Sequence, residues 1–471
     1  GGPSITTKAN DAALIAEANG VSGESMSTIA EVLVYYAGQS DKMVMHNPIN
    51  GLVINNLSSF YAPGAVSSYP RSGTTLYDLS GNAKNGTLTN SPTFNSNGYM
   101  DLDGVDDFIS IDTYTFGNGN WTVSMVVNAD NITVSNLLSN TSGGPVTNAF
   151  GFASSKIHYR NYDGAWQTHN GNTTLSTSKW YSLTWVNYAG DQASTGTMKM
   201  YVNGVADSSE FNSYATNGGP CNAIGSNWFS KFNGRIASTK FYTKSLSDSE
   251  ILTNYYQGSN VTSNLVFAAD AGNLVSYENG ETTTYSLIGS LDGTLTNGVD
   301  FVNSNGGVWD FDGVDDKITL PNDLGYSATS VSVFAWYKIN GTPGNSYHII
   351  CGDVNLEMSI HSSATYLRNG IGTTNGRFVS NDGNQTLNDG NYHYYGFTFD
   401  GSTKRAYIDG VAVGTQSVTG TLTTSFSARK LGAFSGGYQA NGNIASYLVW
   451  NKVLTTSEIQ QNYNANINRF N

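Results

Sequence analysis

The chain has 471 residues, of which 12% are charged and 12% aromatic, and its formal net charge is −13. This length suffices for two or three domains with cores of their own, and the aromatic content excludes a disordered chain. The acidic balance, without any cluster of lysine or arginine, excludes nucleic acid as a partner and disfavours anionic membrane surfaces. No apolar run approaches the ~20 residues that span a bilayer, so we expect no membrane insertion. Two cysteines, Cys221 and Cys351, are too few for a disulfide framework and leave a single disulfide open.

Residues 1–49 differ in pattern from the rest of the chain. Asn10 is a candidate cap for a short helix that ends near Gly20, and a second helix is predicted from about Ser25 to Ala37. Two short helices bury no core of their own, so they must dock elsewhere. Docking on the following module is one alternative. We favour the other, in which residues 1–49 are a helical anchor segment that binds other protein subunits.

An internal repeat organises the remainder of the chain. Residues 86–90 (GTLTN) recur unchanged at 293–297, and residues 101–107 (DLDGVDD) recur as DFDGVDD at 310–316. The spacing of about 208 residues is far too long for a solenoid repeat and indicates domain duplication. We therefore predict two modules, at residues 50–258 and 259–471.

Each module has the sequence pattern of short β-strands joined by tight turns. Asn-Gly at 203–204 and Asp-Gly at 409–410 lie between β-branched residues and predict hairpins with type I′ turns. Near the end of each module, 247–250 (SDSE) and 455–458 (TTSE) are capping boxes that predict one short helix. This capping role accounts for Glu250 and Glu458 without catalysis. We expect an all-β fold of two tandem antiparallel β-sandwiches preceded by the short helical N-terminal segment.

The ordered motifs resemble a known family. They are residues 77–82 (YDLSGN), the DLDGVDD run, the Tyr-x-Asn/Asp-Gly hairpin and the closing Leu-Ser/Thr-x-Ser-Glu-Ile. Together they resemble tandem laminin-G-like jelly rolls of the concanavalin A-like lectin/glucanase superfamily, over roughly residues 50–465. Relatives often carry an aspartate in the first strand; the second module has Asp270 there, and the alignment of the repeat places Leu57 at that position in the first module.

The resemblance also implies a function. Similar modules occur in tail, fibre and capsid-decoration proteins of bacteriophages and in bacterial surface proteins. The leading hypothesis is therefore a non-catalytic structural or adhesive protein, a virion decoration, fibre or tail component with a glycan-binding capacity. It would be located on a virion surface or outside the cell. The alternatives are a secreted or cell-surface carbohydrate-binding protein and a glycoside hydrolase of the same superfamily.

The repeated acidic runs are the candidate metal site. Hard cations such as calcium take several carboxylate oxygens, so we predict a calcium site in each run, with no other cofactor expected. The alternative is that these aspartates bind backbone amides in a bend while Leu102 and Phe311 pack inward. Catalysis by these aspartates is the least favoured alternative. The predicted calcium ligands are Asp101, Asp103 and Asp106 in the first module and Asp310, Asp312 and Asp315 in the second.

The sequence lacks the signatures of catalysis. A glucanase of this superfamily needs two carboxylates on one strand face, and none of the nine glutamates forms such a pair in a β-like segment. The six histidines show no zinc-binding spacing, and no nucleophile or phosphate-loop motif occurs. We expect a protein that is not an enzyme.

Sugar binding requires an aromatic face and a few planar polar groups. For any single aromatic residue, packing in the core is the more frequent alternative. The preferred region surrounds Trp166, because polar residues flank it in a turn-like setting. The predicted glycan-binding residues are Tyr159, Arg160, Tyr162, Trp166 and Trp228 in the first module and Tyr366, Arg368 and Tyr438 in the second.

Overall fold

The chain divides into two compact units, Gly1–Tyr255 and Tyr256–Asn471, three residues before the predicted module boundary. The predicted anchor segment lies outside the described residues. In the part of the chain that is described, no helix is long and apolar enough to cross a membrane. The computed structural model describes residues 52–117, 119–140, 148–162, 165–192, 195–213, 220–225, 230–258, 260–343, 346–353, 355–363, 365–384, 386–423, 429–434 and 437–470.

The first module is built from two antiparallel sheets, nine- and eight-stranded within the described residues. The first sheet has the order β14-β13-β12-β7-β17-β5-β4, with β1 beside β17 and β15 beside β13, and the second has the order β11-β10-β9-β8-β16-β6-β3-β2. The strands are β1 (Leu57–Tyr61), β2 (Thr75–Leu76), β3 (Gly86–Thr89), β4 (Thr93–Asn95), β5 (Tyr99–Asp103), β6 (Phe108–Thr115), β7 (Trp121–Ala129), β8 (Val134–Ser139), β9 (Asn148–Ala153), β10 (Lys156–Tyr162), β11 (Trp166–Asn170), β12 (Trp180–Gln192), β13 (Thr195–Val202), β14 (Val205–Ala206), β15 (Phe211–Ser213), β16 (Pro220–Ile224) and β17 (Asn233–Tyr242).

The second module repeats this topology. Its sheets have the orders β21-β22-β35-β24-β29-β30-β31, with β18 beside β35, and β19-β20-β23-β32-β25-β26-β27-β28. A small hairpin pairs β33 with β34. The strands are β18 (Leu265–Asp270), β19 (Thr283–Thr284), β20 (Gly293–Thr296), β21 (Asp300–Val302), β22 (Val308–Asp312), β23 (Lys317–Thr319), β24 (Val331–Ile339), β25 (Tyr347–Asp353), β26 (Leu356–His361), β27 (Leu367–Thr373), β28 (Gly376–Asp382), β29 (His393–Phe399), β30 (Thr403–Ile408), β31 (Val411–Ser417), β32 (Lys430–Leu431), β33 (Ala433–Phe434), β34 (Tyr438–Gln439) and β35 (Asn441–Trp450).

Alternation along the strands places one face of each sheet in an apolar core. In the first module Leu102 is fully buried, and in the second Phe311 occupies the corresponding position of its strand. Gly225 lies against Leu102, and Gly432 lies against Phe311. Any other residue at these two positions would place a Cβ that overlaps the apolar side chain. The all-β prediction of two tandem β-sandwiches is confirmed.

The predicted hairpin turns are confirmed. Asn203 and Gly204 have φ of 51° and 78°, and Asp409 and Gly410 have the same two values, as a type I′ turn requires. The side chains of Asn203 and Asp409 also have the same role. Each accepts a hydrogen bond through Oδ1 from a backbone amide of the neighbouring strand, at 2.9 and 2.8 Å respectively.

One helix closes each module, α1 (Asp248–Tyr255) and α2 (Thr456–Asn466), and a 3₁₀ turn (Ile467–Arg469) follows the second. Thr455 and Glu458 form the predicted capping box: each side chain binds the backbone amide of the other. Glu250 in the first module accepts a hydrogen bond from the Ser247 amide at 3.0 Å. The structure therefore supports the capping role predicted for both glutamates.

The strand ladders correct one alignment made from the sequence. Leu57 pairs with Tyr242, and Leu265 pairs with Trp450, so these two leucines are equivalent. Asp270 lies five residues after Leu265, and Leu57 is therefore not its counterpart in the first module. The carboxylate of Asp270 accepts two hydrogen bonds from Arg469 Nη1, at 2.9 and 2.8 Å.

Candidate functional site

The acidic turn between β5 and β6 gathers three carboxylates of the first module. One carboxylate oxygen each of Asp103, Asp106 and Asp107 lies within 4.8 Å of the other two. Asp101, which was predicted as a ligand, does not belong to this set. The turn at Gly104, where φ is 74°, folds the chain back and brings Asp107 into the set instead. The Asp107 carboxylate accepts a hydrogen bond from the Asp103 amide at 3.3 Å.

The second module has the same arrangement in the turn between β22 and β23. One carboxylate oxygen each of Asp312, Asp315 and Asp316 lies within 4.8 Å of the other two. Asp316 is only 3% exposed. Burial raises the pKa of Asp316 to about 6, although a hydrogen bond from the Asp312 amide, at 3.0 Å, lowers it.

Asp310 was predicted as a calcium ligand and is also outside the carboxylate set. Its Oδ1 accepts hydrogen bonds from Asn340 Nδ2 at 3.0 Å and from Asn443 Nδ2 at 2.8 Å. Burial raises the pKa of Asp310, although the bond from Asn340 lowers it. The structure therefore gives Asp310 two asparagine partners, and its role as a calcium ligand stays a prediction.

Four of these aspartates accept hydrogen bonds from backbone amides, as the alternative interpretation of the runs expected: Asp103 and Asp312 do so in addition to Asp107 and Asp316. Asp103 Oδ1 accepts a hydrogen bond from the Val105 amide at 2.8 Å, and Asp312 Oδ1 accepts one from the Val314 amide at 2.8 Å. The bond from Val105 holds the pKa of Asp103 below its ordinary value. The backbone-binding role is thus present in both modules and uses one oxygen of each aspartate.

The repeated GTLTN run explains how the acidic turn is held in place. Asn90 and Asn297, which end the run in each module, adopt φ of 63° and 68°. Asn90 Nδ2 donates a hydrogen bond to the backbone oxygen of Asp106 at 2.9 Å, and Asn297 Nδ2 donates one to that of Asp315 at 3.0 Å. The two repeated motifs therefore form one local unit.

The second sheet of the first module carries an arginine and an exposed tryptophan on its outer face, the face turned away from the core. Ile157 and Tyr159 of β10 lie in the core, so His158 and Arg160 project from the opposite face. The guanidinium carbon of Arg160 lies 3.8 Å from the ring centroid of Trp166, on the neighbouring strand β11. Trp166 is 42% exposed, which makes it accessible to a ligand.

Three other glycan-binding predictions for the first module have different outcomes. Tyr159 is fully buried in the core, and its hydroxyl donates a hydrogen bond to Asn148 Oδ1 at 2.8 Å. Burial also raises the pKa of Tyr159. The prediction is therefore wrong at this residue, because its side chain faces the interior of the sandwich. The side chain of Tyr162 and the whole of Trp228 lie outside the described residues, and these two stay predictions.

In the second module the predicted residues belong to one cluster. The rings of Tyr366 and His361 stack with centroids 4.9 Å apart, and His361 and Tyr347 meet at 5.2 Å. Tyr347 in turn lies 6.1 Å from Tyr438, and the guanidinium of Arg368 lies over the Tyr347 ring at 4.9 Å. The structure thus brings together the three residues predicted in this module through two that the sequence analysis missed.

A buried carboxylate anchors the same outer face. Glu357 is 4% exposed, and its Oε1 contacts Arg368 Nε at 3.0 Å and accepts a hydrogen bond from Ser359 at 2.8 Å. Its Oε2 contacts Arg377. Gly370 lies opposite Glu357 in the ladder, and a Cβ at Gly370 would crowd the contact between Glu357 and Arg377.

The sequence analysis missed Glu357 and Arg377 because they lie on different strands, with β27 between them. The one available signal is strand alternation: Leu356 and Met358 lie in the core, so Glu357 must lie on the outer face. The sequence gives no sign that a side chain of β26 contacts one of β28 across the intervening strand β27. Asp107 and Asp316 were missed for another reason. Only the folded turn brings their carboxylates close to those of the aspartates that precede them in each run.

These features define a tandem β-sandwich protein with polar and aromatic side chains on the outer face of each second sheet. The sequence profile of the laminin-G type of the concanavalin A-like lectin/glucanases superfamily matches residues 103–252 and 312–460. The chain belongs to this superfamily. No curated protein matches the chain.

The solved structures that match the chain come from several organisms. Domain 4 of the extracellular arabinanase AbnA from Geobacillus stearothermophilus, in complex with arabinotriose, is 18% identical, covers 42% of this chain and 98% of its own, and has a TM-score of 0.33. Trypanosoma rangeli sialidase in complex with sialic acid is 10% identical over 83% of this chain and 67% of its own, with a TM-score of 0.35. Domains LG4-5 of the mouse laminin alpha1 chain are 10% identical over 75% of this chain and 95% of their own, with a TM-score of 0.27.

Proposed function

We propose that the chain is a non-catalytic surface protein whose modules bind carbohydrate on the outer faces of β10–β11 and β25–β28. One observation carries the proposal: in both modules an arginine packs against an aromatic ring on this face. Arg160 lies over Trp166 at 3.8 Å, and Arg368 lies over Tyr347 at 4.9 Å. An aromatic ring accommodates the apolar side of a sugar, and a guanidinium offers several planar donors to its hydroxyl or carboxylate oxygens.

The chemistry of Glu357 supports binding over hydrolysis. Glycoside hydrolysis uses two carboxyl groups, about 5–5.5 Å apart in retaining enzymes and about 6.5–9.5 Å apart in inverting ones, and one of them must hold a transferable proton. Glu357 provides a carboxylate on the outer face of the second module, and each of its oxygens contacts an arginine. Glu357 is only 4% exposed and both of its oxygens are engaged by arginines, so it presents no free oxygen to a glycosidic bond.

The proposal is tested by screening the full chain on a glycan array and measuring the affinity of the best glycan by calorimetry. Trp166→Ala removes the exposed ring of the first module, and Tyr347→Ala removes the central ring of the second. Each loss is expected to weaken binding to its own module about tenfold, since an aromatic contact contributes about 0.5–1.5 kcal/mol beyond its area.

Matched controls come from the hairpin turns of the other sheets. Val205 and Val411 are exposed apolar residues at corresponding hairpin positions, 64% and 61% exposed. Val205→Ala and Val411→Ala are expected to leave glycan affinity unchanged. Absence of any glycan ligand, or equal loss in the control and ring variants, would contradict the proposal.

The more specific role rests on the sequence resemblance. We propose that the chain serves at a virion or cell surface and that residues 1–49 attach it to other protein subunits. What favours this is that these residues contain two predicted short helices that cannot form a core. Deleting residues 1–49 is expected to abolish incorporation into assembled particles while glycan binding persists. Full incorporation of the truncated chain would rule out this anchor.

A further inference from the structure

The four neighbouring strands β8–β11 of the first module form a basic surface in an acidic chain. The chain has a formal net charge of −13. These strands nevertheless contain Lys156 and Arg160 and no aspartate or glutamate. Both cations project from the outer face, since Ile157 and Tyr159, which alternate with them, lie in the core. The charge of this face therefore favours an anionic ligand.

The guanidinium of Arg160 has no counter-charge. Within the described residues it forms neither an ion pair nor a hydrogen bond, and its Nε is buried without a partner. The two Nη atoms are not buried, so both can donate hydrogen bonds to a ligand. The residues that flank Arg160 in the ladder, Ala149 on β9 and Thr168 on β11, are uncharged. Two parallel donors are thus free, and a carboxylate is the group that accepts from both at once.

Neighbouring side chains supply the other contacts that a sugar needs. The ring of Trp166 lies 3.8 Å from the guanidinium carbon, and this stacking holds Arg160 in place before a ligand binds. Trp166 remains 42% exposed, so part of the ring is free for the apolar side of a sugar. Thr168 and Asn170 are exposed and alternate outward with Trp166 on β11. Their hydroxyl and amide groups can bind sugar hydroxyls.

The corresponding face of the second module already contains a carboxylate of its own. Glu357 Oε1 contacts Arg368 Nε at 3.0 Å, and its Oε2 contacts Arg377. Because Glu357 is only 4% exposed, it cannot turn into solvent to release the two arginines. A second carboxylate brought by a ligand would be repelled by the first.

We propose that the outer face of β10–β11 selects sugars that carry a carboxylate, and that Glu357 restricts the second module to neutral sugars. The inference rests on the proposed carbohydrate-binding function and adds the class of sugar for each module. In the first module the ligand carboxylate accepts hydrogen bonds from both Nη atoms of Arg160. In the second module Glu357 occupies the role of that carboxylate.

The test screens the full chain on a glycan array of matched pairs, in which a uronic or sialic acid residue is present either as the free acid or as its neutral amide. In the Tyr347→Ala variant, which leaves the first module as the main site, the acids are expected to bind at least about tenfold more tightly than the amides. Added salt is expected to weaken the binding of the acids only.

Thr168→Glu and Thr168→Gln form the decisive pair of variants. Thr168 is exposed on the edge strand β11 and lies directly opposite Arg160, so neither change disturbs the core. Thr168→Glu places a carboxylate beside the guanidinium and is expected to abolish the preference for acids. Thr168→Gln has the same size without the charge and is expected to retain the preference.

Glu357→Gln tests the second module, in a chain whose first module is silenced by Trp166→Ala. It removes the counter-charge of Arg368 and Arg377 and is expected to produce binding of the acids. If this buried change unfolds the module, the Thr168 pair still decides the proposal.

The proposal is overturned if the amides bind as tightly as the acids, if Thr168→Glu retains the preference, or if Thr168→Gln loses it as fully as Thr168→Glu does. Binding of acids and amides alike that Trp166→Ala removes would overturn this selectivity and leave the proposed function intact. Failure to bind any glycan of the array would overturn both.

Discussion

The outer faces of the two modules place different residues at the same ladder positions. Following the strand pairs across the second sheets from β3 and β20 makes Arg160 equivalent to Gly370, and Trp166 equivalent to Arg377. The residue opposite Arg160 is Ala149, whereas Glu357 lies opposite Gly370. A guanidinium thus lies over the same area of both second sheets. Arg160 of β10 supplies it in the first module, and Arg377 of β28, the strand equivalent to β11, supplies it in the second.

The partners of that guanidinium differ accordingly. In the first module it lies over an indole ring, and in the second it contacts a buried carboxylate. The difference teaches that duplication has preserved the ladder and the core of the sandwich, while one outer-face position holds Ala149 in the first module and Glu357 in the second, which adds an ion pair. A ligand that requires an exposed indole is therefore expected to prefer the first module. A ligand that contacts the cluster of tyrosine and histidine side chains is expected to prefer the second.

The largest expected effect concerns the core, where the modules are most alike. Leu102→Ala and Phe311→Ala remove equivalent core side chains. We expect losses in the free energy of unfolding of about 2–5 kcal/mol for Leu102→Ala and about 3–5 kcal/mol for Phe311→Ala, because each leaves a cavity. Calorimetry of the full chain should show each substitution lowering the transition of its own module. A single transition that shifts equally in both variants would show that the modules do not unfold independently.

An intermediate effect concerns acid stability, in which the modules differ at one ladder position. His348 on β25 is 1% exposed, and its counterpart on β8 is Ser135. Burial lowers the pKa of His348 to about 4, and an unfolded histidine has a pKa of about 6.5. The folded form therefore binds fewer protons than the unfolded form, and its stability falls as the pH drops from about 6.5 to about 4.

The size of this effect is at most about 3–4 kcal/mol, since the folded and unfolded pKa values are about 4 and about 6.5 and one pKa unit corresponds to about 1.4 kcal/mol. His348→Gln removes the titrating group and is expected to reduce the acid dependence of the second module's unfolding temperature. The measurement compares wild type and variant between pH 7 and pH 4.5. An identical pH profile in the two proteins would show that His348 does not contribute.

The smallest expected effect concerns the helix caps, which the two modules share. Ser247→Ala and Thr455→Ala each remove a side chain that accepts a hydrogen bond from the third residue of the helix, at 3.3 Å in both cases. We expect each to lower the stability of its own module by about 1 kcal/mol, as measured by urea unfolding. Unequal losses would indicate that one helix is held mainly by packing.

Much of the fold could be predicted from the sequence because its signals are local or repeated. The Asn-Gly and Asp-Gly turns need positive φ, and the duplicated runs reveal the modules without any knowledge of contacts. Burial was harder to predict. Tyr159 and Arg160 are adjacent, and only the alternation set by Ile157 shows that Tyr159 faces the core and Arg160 the outer face.

The candidate sites depended on contacts that no local pattern contains. Asp310 and Asp312 share a strand face, which made them a natural pair in the sequence. The fold instead returns Asp316 to Asp312 through the turn at Gly313 and leaves Asp310 to two asparagines. The contact between Glu357 and Arg377 spans the intervening strand β27. The two residues can therefore be recognised as partners only once the order of the strands in the sheet is known.

Each module contains one cysteine, Cys221 in the first and Cys351 in the second, and both are free and fully buried. Burial also raises the pKa of both thiols, so a folded module presents neither an exposed sulfur nor a thiolate to a reagent. A thiol-reactive dye added to the native protein should therefore label each site only when its module opens. The chain thus contains two natural probes of local unfolding, and mass spectrometry of the labelled peptides would give a separate opening rate for each half of the molecule.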